Sequence, residues 1–260
     1  MTGTEKKRLP AVILAGAPAS AELKKAYGVE WRALAPVCGV PMLSYIIDAL
    51  KASGRAQSIS VVSGFPCEGV DKTIPSANSM LENLVNGVGN TAESGHVLIA
   101  TSDIPLITPE AIADFTDRCG NLDADFYYPI VPKEQNLSKF PKLKRTYARL
   151  AEGTFTGGNI MIVDAKFIKE NAQRINEALD ARKSVSRLAK IIGAGVLIRA
   201  ILAQTIWPGA LKLSMLEKAA GRVLGARLRA VETPYAEIGA DADTVGQIAL
   251  AEEILQSRET

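Results

Sequence analysis

Residues 95–120, GHVLIATSDIPLITPEAIADFTDRCG, contain one complete strand, loop and helix. The apolar run ends in small residues at Asp103, and a helix is predicted from Pro109, with Thr108 as its N-cap and Pro109 at its first position. Asp103 directly follows the predicted strand, and a proline two positions later restricts the backbone after it. The position of its carboxylate at a strand end is consistent with a turn or with a metal ligand.

The same order of elements occurs twice before this stretch. AVILAG (11–16) is predicted to be a strand that ends at a glycine turn, with a helix at MLSYIIDALKASG (42–54). SISVVSG (58–64) and SMLENLVNGVG (79–89) give the next pair. Three successive β-then-α units predict a mostly parallel sheet with right-handed crossovers. Ligands of such sheets bind beyond the carboxyl ends of the strands, where Gly16 and Asp103 both lie.

The second half is less regular. DFYYPIVP (125–132) and YARLAEGTFTGGNIMIVD (147–164) predict strands around a glycine-rich turn, and residues 165–230 are strongly helical. A strand, an acidic loop and a closing helix follow. We therefore predict one domain over residues 1–260, with residues 165–230 as a helical insertion.

Composition narrows the class of protein. The 260 residues are 47% hydrophobic and carry a net charge of +2, with no long basic block, so nucleic-acid binding is not expected. Three scattered cysteines and no leader-like segment indicate a reducing, cytoplasmic location. LAKIIGAGVLIRAILAQTI (188–206) is interrupted by Lys190 and Arg199, so we predict a buried or interfacial helix and no transmembrane segment.

Several residue groups could carry chemistry. The turn after the first strand presents backbone N–H groups to a phosphate, although a plain tight turn explains it as well. Lys24, Lys25 and Arg32 could bring positive charge over a triphosphate from a mobile loop, or could be ordinary solvated charges. His96, the only histidine, is predicted to be structural.

Acidic and amide side chains could complete a site. Asp103 and a second carboxylate from GADADT (Asp241 or Asp243) could hold Mg²⁺, which takes one or two protein carboxylates with phosphate and water oxygens. Helix capping by Asp243 or Thr244 is the alternative for that loop. GTFTGGN (153–159) is either a substrate loop, through its backbone and the Asn159 amide, or a hairpin or bulge.

Four pieces in this order resemble the MobA-like nucleotidyltransferases: AVILAG with RALAPVCGVPML, then SDIPLIT, TGGNIMIVD and DADTVGQIALAEEIL. The resemblance covers most of residues 10–165 and 230–255. It implies a three-layer α/β/α, Rossmann-like nucleotide-diphospho-sugar transferase fold. It also implies transfer of a nucleoside monophosphate from an NTP to a phosphorylated acceptor, with release of pyrophosphate and with Mg²⁺ as the cofactor.

The resemblance also implies roles for individual residues. The nucleotide would contact Leu14, Ala15, Gly16, Ala17, Asn78 and Ser79. The acceptor would meet Gly158 and Asn159. Asp103 and Asp243 would be metal ligands, with Asp241 beside them, and Arg32, Lys24 and Lys25 would offset the charge of the leaving pyrophosphate.

The sequence departs from the family pattern in its first loop. Ala17 replaces the usual second glycine, Arg32 replaces a lysine, and the usual arginine after the glycine turn is missing. A nucleotide-sugar-dependent glycosyltransferase and a non-catalytic nucleotide-binding protein therefore stay open as alternatives. The sequence does not select the NTP or the acceptor, and the helical region could be an acceptor lid, a homodimer surface or an apolar docking face.

Overall fold

The computed structural model describes residues 7–181 and 194–259. Its strands are β1 (Leu9–Leu14), β2 (Pro36–Val37), β3 (Val40–Pro41), β4 (Ala56–Ser63), β5 (Lys72–Pro75), β6 (His96–Thr101), β7 (Phe126–Pro132), β8 (Ala148–Leu150), β9 (Gly153–Gly157), β10 (Ile160–Asp164) and β11 (Leu228–Glu232). Its α-helices are α1 (Ala21–Tyr27), α2 (Met42–Ser53), α3 (Met80–Thr91), α4 (Pro109–Arg118), α5 (Lys133–Lys139), α6 (Ala165–Glu170), α7 (Ala172–Ala181), α8 (Ala194–Thr205), α9 (Leu213–Leu224) and α10 (Val245–Glu259).

The central sheet is mostly parallel, as the sequence predicts. Its strand order is β5-β4-β1-β6-β10-β7-β9-β8, and β11 pairs with β7. The pairs β5–β4, β4–β1, β1–β6 and β7–β11 are parallel. β10 lies antiparallel between β6 and β7. The carboxyl ends of β1, β6 and β7 therefore share one edge.

Helices cover both faces of this sheet, which confirms the three-layer prediction. Successive residues of β1 point to opposite faces, as the period of a strand requires. Ile13 belongs to a buried cluster with Ile46 of α2 and Phe115 of α4. Val12 belongs to a second cluster with Val88 of α3 and Ile168 of α6. Because both faces are buried, the central strands are apolar runs without alternation.

The helix caps follow the sequence closely. Thr108 accepts a hydrogen bond from Ala111 N at 3.3 Å, and Pro109 opens α4 as predicted. Ser79 caps α3 in a reciprocal capping box with Glu82. The predicted strands at 58–64 and 95–103 are observed as β4 and β6.

The prediction of a loop between β1 and α2 is wrong in part. Residues Ala21–Tyr27 form α1, with Ser20 as N-cap and Gly28 in the left-handed conformation at its end. Lys24 and Lys25 therefore lie on a capped helix and not on a mobile loop.

At residues 153–159 the structure agrees with the bulge alternative, and a glycine-rich turn that folds β10 back on β9 is wrong. β9 and β10 do not fold back on each other, because both pair antiparallel with β7, one after the other. The register shifts at Gly158–Asn159, where Gly158 N donates to Pro129 O at 3.1 Å. A side chain at 158 would collide with Ile238 and Pro129, so glycine is needed here for close packing.

Helices dominate residues 165–181 and 194–224, as predicted, and residues 182–193 of the predicted helical insertion lie outside the described residues. Of the apolar segment 188–206, residues 188–193 lie outside the described residues, and 194–205 form α8. Ile198 and Ile201 on α8 are more than half exposed, and Trp207 just after it is 66% exposed. No helix in the described residues is long and apolar enough to cross a membrane.

Candidate active site

A cavity of about 290 Å³ opens at the carboxyl edge of β1 and β6. It is lined by Leu14, Gly16, Ala17, Pro18, Arg32, Ala77, Asn78, Ser79, Met80, Asn83, Thr101, Ser102 and Asp103. Five of the six predicted nucleotide contacts are in this set; the exception, Ala15, has its side chain fully buried in the core.

Gly16 is essential to the shape of this cavity. A side chain there would place Cβ 2.6 Å from Ser76 Cβ and 3.0 Å from Asn83 Nδ2. Asn83 is buried on α3, and its Oδ1 accepts a hydrogen bond from Ala77 N at 2.6 Å. The turn after β1 and the loop before α3 therefore pack directly against each other.

Asn83 was not predicted as a site residue. Its only signal is a polar side chain on the buried face of a helix, in LENLVNG. Asn78 and Ser79, which were predicted, border the cavity, but the Ser79 hydroxyl is engaged in capping α3.

Arg32 enters the cavity from a short 3₁₀ turn, Arg32–Leu34. Its backbone N–H donates to Ala17 O at 3.1 Å, and Ala19 N donates to Glu30 O at 2.9 Å. These bonds tie the residues before Arg32 to the turn after β1. Arg32 is thereby fixed beside the glycine turn, although Ala17 is 15 positions earlier in the chain.

Of the three aspartates predicted for the metal site, Asp103 and Asp243 lie beside each other. Ala242 N donates to Asp103 O at 2.8 Å, which joins the loop after β6 to the loop before α10. Arg32 Nη1 lies 2.9 Å from Asp103 Oδ2 and also contacts Asp243 Oδ1. The other Asp103 oxygen, Oδ1, is buried and has no hydrogen-bond partner among the described residues.

The environment of Asp243 favours its neutral form. Burial raises the pKa of this carboxyl, and the nearby Asp103 carboxylate raises it further, against the opposing effect of Arg32. Capping of α10 falls to the next residue: Thr244 Oγ1 accepts from Gln247 N at 3.3 Å, and Gln247 Oε1 accepts from Thr244 N at 3.1 Å. The Asp243 carboxylate is therefore available to the site.

Asp241 has a different partner. It forms an ion pair with Arg145, which also donates to Gly157 O at 3.0 Å and to Thr156 Oγ1 at 3.4 Å. Burial lowers the pKa of the Arg145 guanidinium, and the charges of Asp243 and Asp103 act in the opposite direction. Arg145 was not predicted, because its stretch FPKLKRTYARL shows no motif.

The acceptor-side residues adjoin the same edge. Asn159 O accepts from Thr101 N at 3.0 Å, so the register shift of β10 lies next to the end of β6. Asn159 Nδ2 is buried and has no hydrogen-bond partner among the described residues. Gly158 N donates to Pro129 O. The role of Gly158 is to let the backbone pack closely against Ile238 and Pro129.

Two predicted cations lie elsewhere. Lys24 forms an ion pair with Glu30, and neither Lys24 nor Lys25 is among the residues that line the cavity. His96 lies at the opposite end of β6 from Asp103, where Nε2 is 2.8 Å from Ala124 O. That contact agrees with the structural role predicted for His96.

These residues can bind an anionic ligand near a divalent cation. In the described parts of the chain, no group of three or more His, Cys, Asp or Glu side chains could hold a metal ion. Asp103 and Asp243 nonetheless fit Mg²⁺, since this ion keeps water and phosphate oxygens and needs only one or two carboxylates. The unpartnered Oδ1 of Asp103 is consistent with such a ligand.

The fold and this edge define a nucleotidyltransferase of the α/β class. Residues 11–205 match the family model of the MobA-like NTP transferase domain, and the chain belongs to that family. Asp241 and Asp243 lie beyond the matched residues. Among curated proteins, none matches the sequence significantly.

Solved structures agree with this assignment. A hypothetical transferase from Thermus thermophilus is 35% identical, with 92% of this chain and 99% of that chain covered and a TM-score of 0.81. A CMP:2-keto-3-deoxy-manno-octonic acid synthetase complexed with CTP is 14% identical (98% and 100% covered, TM-score 0.58). The 2-C-methyl-D-erythritol 4-phosphate cytidylyltransferase from Thermus thermophilus is 13% identical (96% and 99% covered, TM-score 0.54). The last two share the fold.

Proposed function

We propose that this protein transfers a nucleoside monophosphate from an NTP to a phosphorylated small-molecule acceptor and releases pyrophosphate, with Mg²⁺ as cofactor. The observation that carries the proposal is the meeting of Asp103, Asp243 and Arg32 at the mouth of the cavity beside Gly16. Two carboxylates and a guanidinium next to a glycine turn suit a triphosphate and a divalent ion.

The turn after β1 would bind the nucleotide. Gly16 lets a ligand approach the backbone closely, and Asn78 borders the cavity where a base or ribose could lie. CTP is the first donor to test, because two proteins that share the fold are named for CTP or cytidylyl transfer.

The reaction would be an in-line displacement. An oxygen of the acceptor phosphate forms a bond to the α-phosphorus, and the bond from that phosphorus to the bridging oxygen breaks, so that pyrophosphate leaves. The acceptor phosphate is already an anion at neutral pH, and no general base is needed. Arg32 would donate to phosphate oxygens and stabilise the charge that develops on the leaving group.

Asp103 and Asp243 would hold Mg²⁺, which would supply electrostatic shielding of the phosphate oxygens when bound. Asn159 would orient the acceptor, since its Nδ2 has no partner in the described residues and lies on the loop beside β6. Arg145 would keep that loop in place through Gly157 O.

Calorimetric titration of CTP, GTP, ATP and UTP, with and without Mg²⁺, tests this proposal. We expect Mg²⁺-dependent binding of one NTP to the parent and its loss in Asp103→Asn. Asp48→Asn, which removes an exposed carboxylate of α2, is the matched control and should bind like the parent.

Pyrophosphate release with that NTP and a panel of phosphorylated sugars, polyols and hydroxy acids then tests transfer. We expect Asp103→Asn to lower the rate about a hundredfold or more, the usual effect of losing one preorganised transition-state contact. Unchanged turnover in Asp103→Asn would refute the metal role. Binding without turnover on any acceptor would favour a non-catalytic protein, and transfer of sugar from a nucleotide sugar would favour a glycosyltransferase.

A further inference from the structure

A single nitrogen of Arg32 lies between the two carboxylates of the site. Nη1 donates to Asp103 Oδ2 at 2.9 Å, and the same Nη1 contacts Asp243 Oδ1. A divalent cation that both carboxylates bind must lie between those same two oxygens or their neighbours. The guanidinium therefore lies where such a cation would bridge Asp103 Oδ2 and Asp243 Oδ1, while Asp103 Oδ1 has no partner among the described residues.

The Arg32 guanidinium and a divalent cation are both positively charged, so they compete for the two carboxylates. The Ala242 N to Asp103 O hydrogen bond holds Asp103 and Asp243 close together, and a cation between the two carboxylates relieves the repulsion of their like charges. Arg32 meets that requirement in the ligand-free protein. A metal ion must therefore displace an existing charge-assisted contact, which lowers its apparent affinity.

Arg32 can leave the carboxylates without a change in the fold. Its backbone is fixed by the bond to Ala17 O, while its side chain is 29% exposed and borders the cavity. Gly16 and Ala17 line that same cavity. A rotation about the Arg32 side-chain bonds would carry the guanidinium towards a triphosphate bound at the turn.

We propose that Arg32 couples nucleotide binding to metal binding: it occupies the Asp103–Asp243 pair until the phosphates of an NTP draw it away, and only then does the pair accept a divalent ion. This inference rests on the proposed function and adds an order to it. Because coupling is reciprocal, a bound metal ion also strengthens nucleotide binding: it displaces Arg32 from the carboxylates, and the guanidinium is then free to contact the phosphates.

The test measures Mn²⁺ binding to the protein without nucleotide, from the electron paramagnetic resonance signal of the free ion. We expect Arg32→Gln to bind Mn²⁺ about tenfold more tightly than the parent, within the usual range of coupling between two ligands. Arg32→Met should behave in the same way. The gain should disappear in the double variant Arg32→Gln/Asp103→Asn.

Arg145→Gln tests whether Arg32 weakens metal binding by occupying the carboxylates or only by being a nearby positive charge that repels the metal ion. It removes another positive charge that acts on Asp103 and Asp243, but Arg145 is bonded to Asp241 and the β9 backbone instead. In this variant Asp241 loses its cation and adds negative charge near the site, which by itself should tighten metal binding. The control is therefore a strict one. We expect a gain well below that of Arg32→Gln.

Three results would overturn the coupling role: equal Mn²⁺ affinity in the parent and Arg32→Gln, an equal gain in Arg32→Gln and Arg145→Gln, or a gain that survives Asp103→Asn. None of these depends on turnover. Pyrophosphate release by the parent decides the transfer reaction separately, so the coupling can fail while the transferase activity stands.

Discussion

Arg32 and Arg145 are two arginines paired with carboxylates at the same sheet edge, yet their surroundings differ. Arg32 borders an open cavity and contacts Asp103 and Asp243 through one nitrogen. Arg145 is 15% exposed and joins Asp241 to the backbone and hydroxyl of β9 through several donors. A guanidinium held by one nitrogen can change partners, whereas one held on several sides fixes the loops around it.

The largest effect is expected from breaking the largely buried Arg145–Asp241 pair, whose side chains are 15% and 20% exposed. Arg145→Gln leaves Asp241 poorly solvated and without its cation, so we expect the free energy of unfolding to fall by about 3 kcal/mol. Guanidinium chloride unfolding measures this change.

Lys142→Gln is the control for Arg145→Gln, because the Lys142–Glu253 pair lies on the surface with both side chains more than half exposed. Such a pair contributes little. Equal effects in the two variants would mean that the Arg145 pair is no more than a surface contact.

Arg32→Gln should separate activity from stability. We expect the rate of nucleotidyl transfer to fall about a hundredfold. The midpoint of thermal unfolding should stay close to that of the parent, because the side chain is partly exposed and outside the core. Full activity with a large loss of stability would show that Arg32 resembles Arg145.

Gly158→Ala tests the close packing of the β9–β10 register shift, next to the Gly157 carbonyl that Arg145 contacts. The new Cβ would collide with Ile238 and lie 2.8 Å from Pro129 Cγ, and overpacking of this kind costs about 1 to 3 kcal/mol. Denaturant unfolding should show the loss. Gly246→Ala, where a Cβ meets nothing within 4 Å, is the matched control. Parent-like stability in Gly158→Ala would mean that the register shift accommodates a side chain.

The smallest effect concerns the pH dependence of stability. The folded protein raises the pKa of Asp243, so it binds this proton more tightly than the unfolded chain does, and the ionised carboxylate costs stability above the folded pKa. In metal-free buffer at pH 7, Asp243→Asn should therefore raise the thermal midpoint by ~1–2 °C.

That difference should vanish as the pH falls below the ordinary value of 3.8, where Asp243 is protonated in both states. Unfolding curves of the parent and the variant, recorded at both pH values with a chelator, test the sign. A variant less stable than the parent at pH 7 would show that the contact with Arg32 outweighs the cost of burial.

Local signals predicted much of the fold. Strand β6, the Thr108 cap and Pro109 of α4 follow from apolar runs and capping chemistry that act over a few residues. Ser20 and Gly28 mark the ends of α1, but the polar, proline-containing sequence around them favours a loop, so the sequence does not predict this helix. The adjacent glycines at 157–158 favour a bulge, but the register shift itself is set by pairing with β7, which is a long-range contact.

The same difference between local signals and long-range contacts applies to the residues of the candidate site. Gly16, Asp103 and Asp243 stand at strand and helix ends, where sequence order already indicates the ligand edge. Asn83 and Arg145 act through contacts with residues 6 to 96 positions away, such as Ala77 and Asp241, which periodicity and spacing do not encode. Tertiary contacts of this kind require the folded chain.

The hydrogen bond from Ala242 N to Asp103 O has a consequence for how the site comes into being. It closes a loop of about 140 residues, a long-range contact of the kind that forms late in folding. During synthesis, the sheet through β10 can assemble before the loop that carries Asp243 has left the ribosome. The chain would then have the cavity and Asp103 first, and would add Asp243 only once the last helix docks.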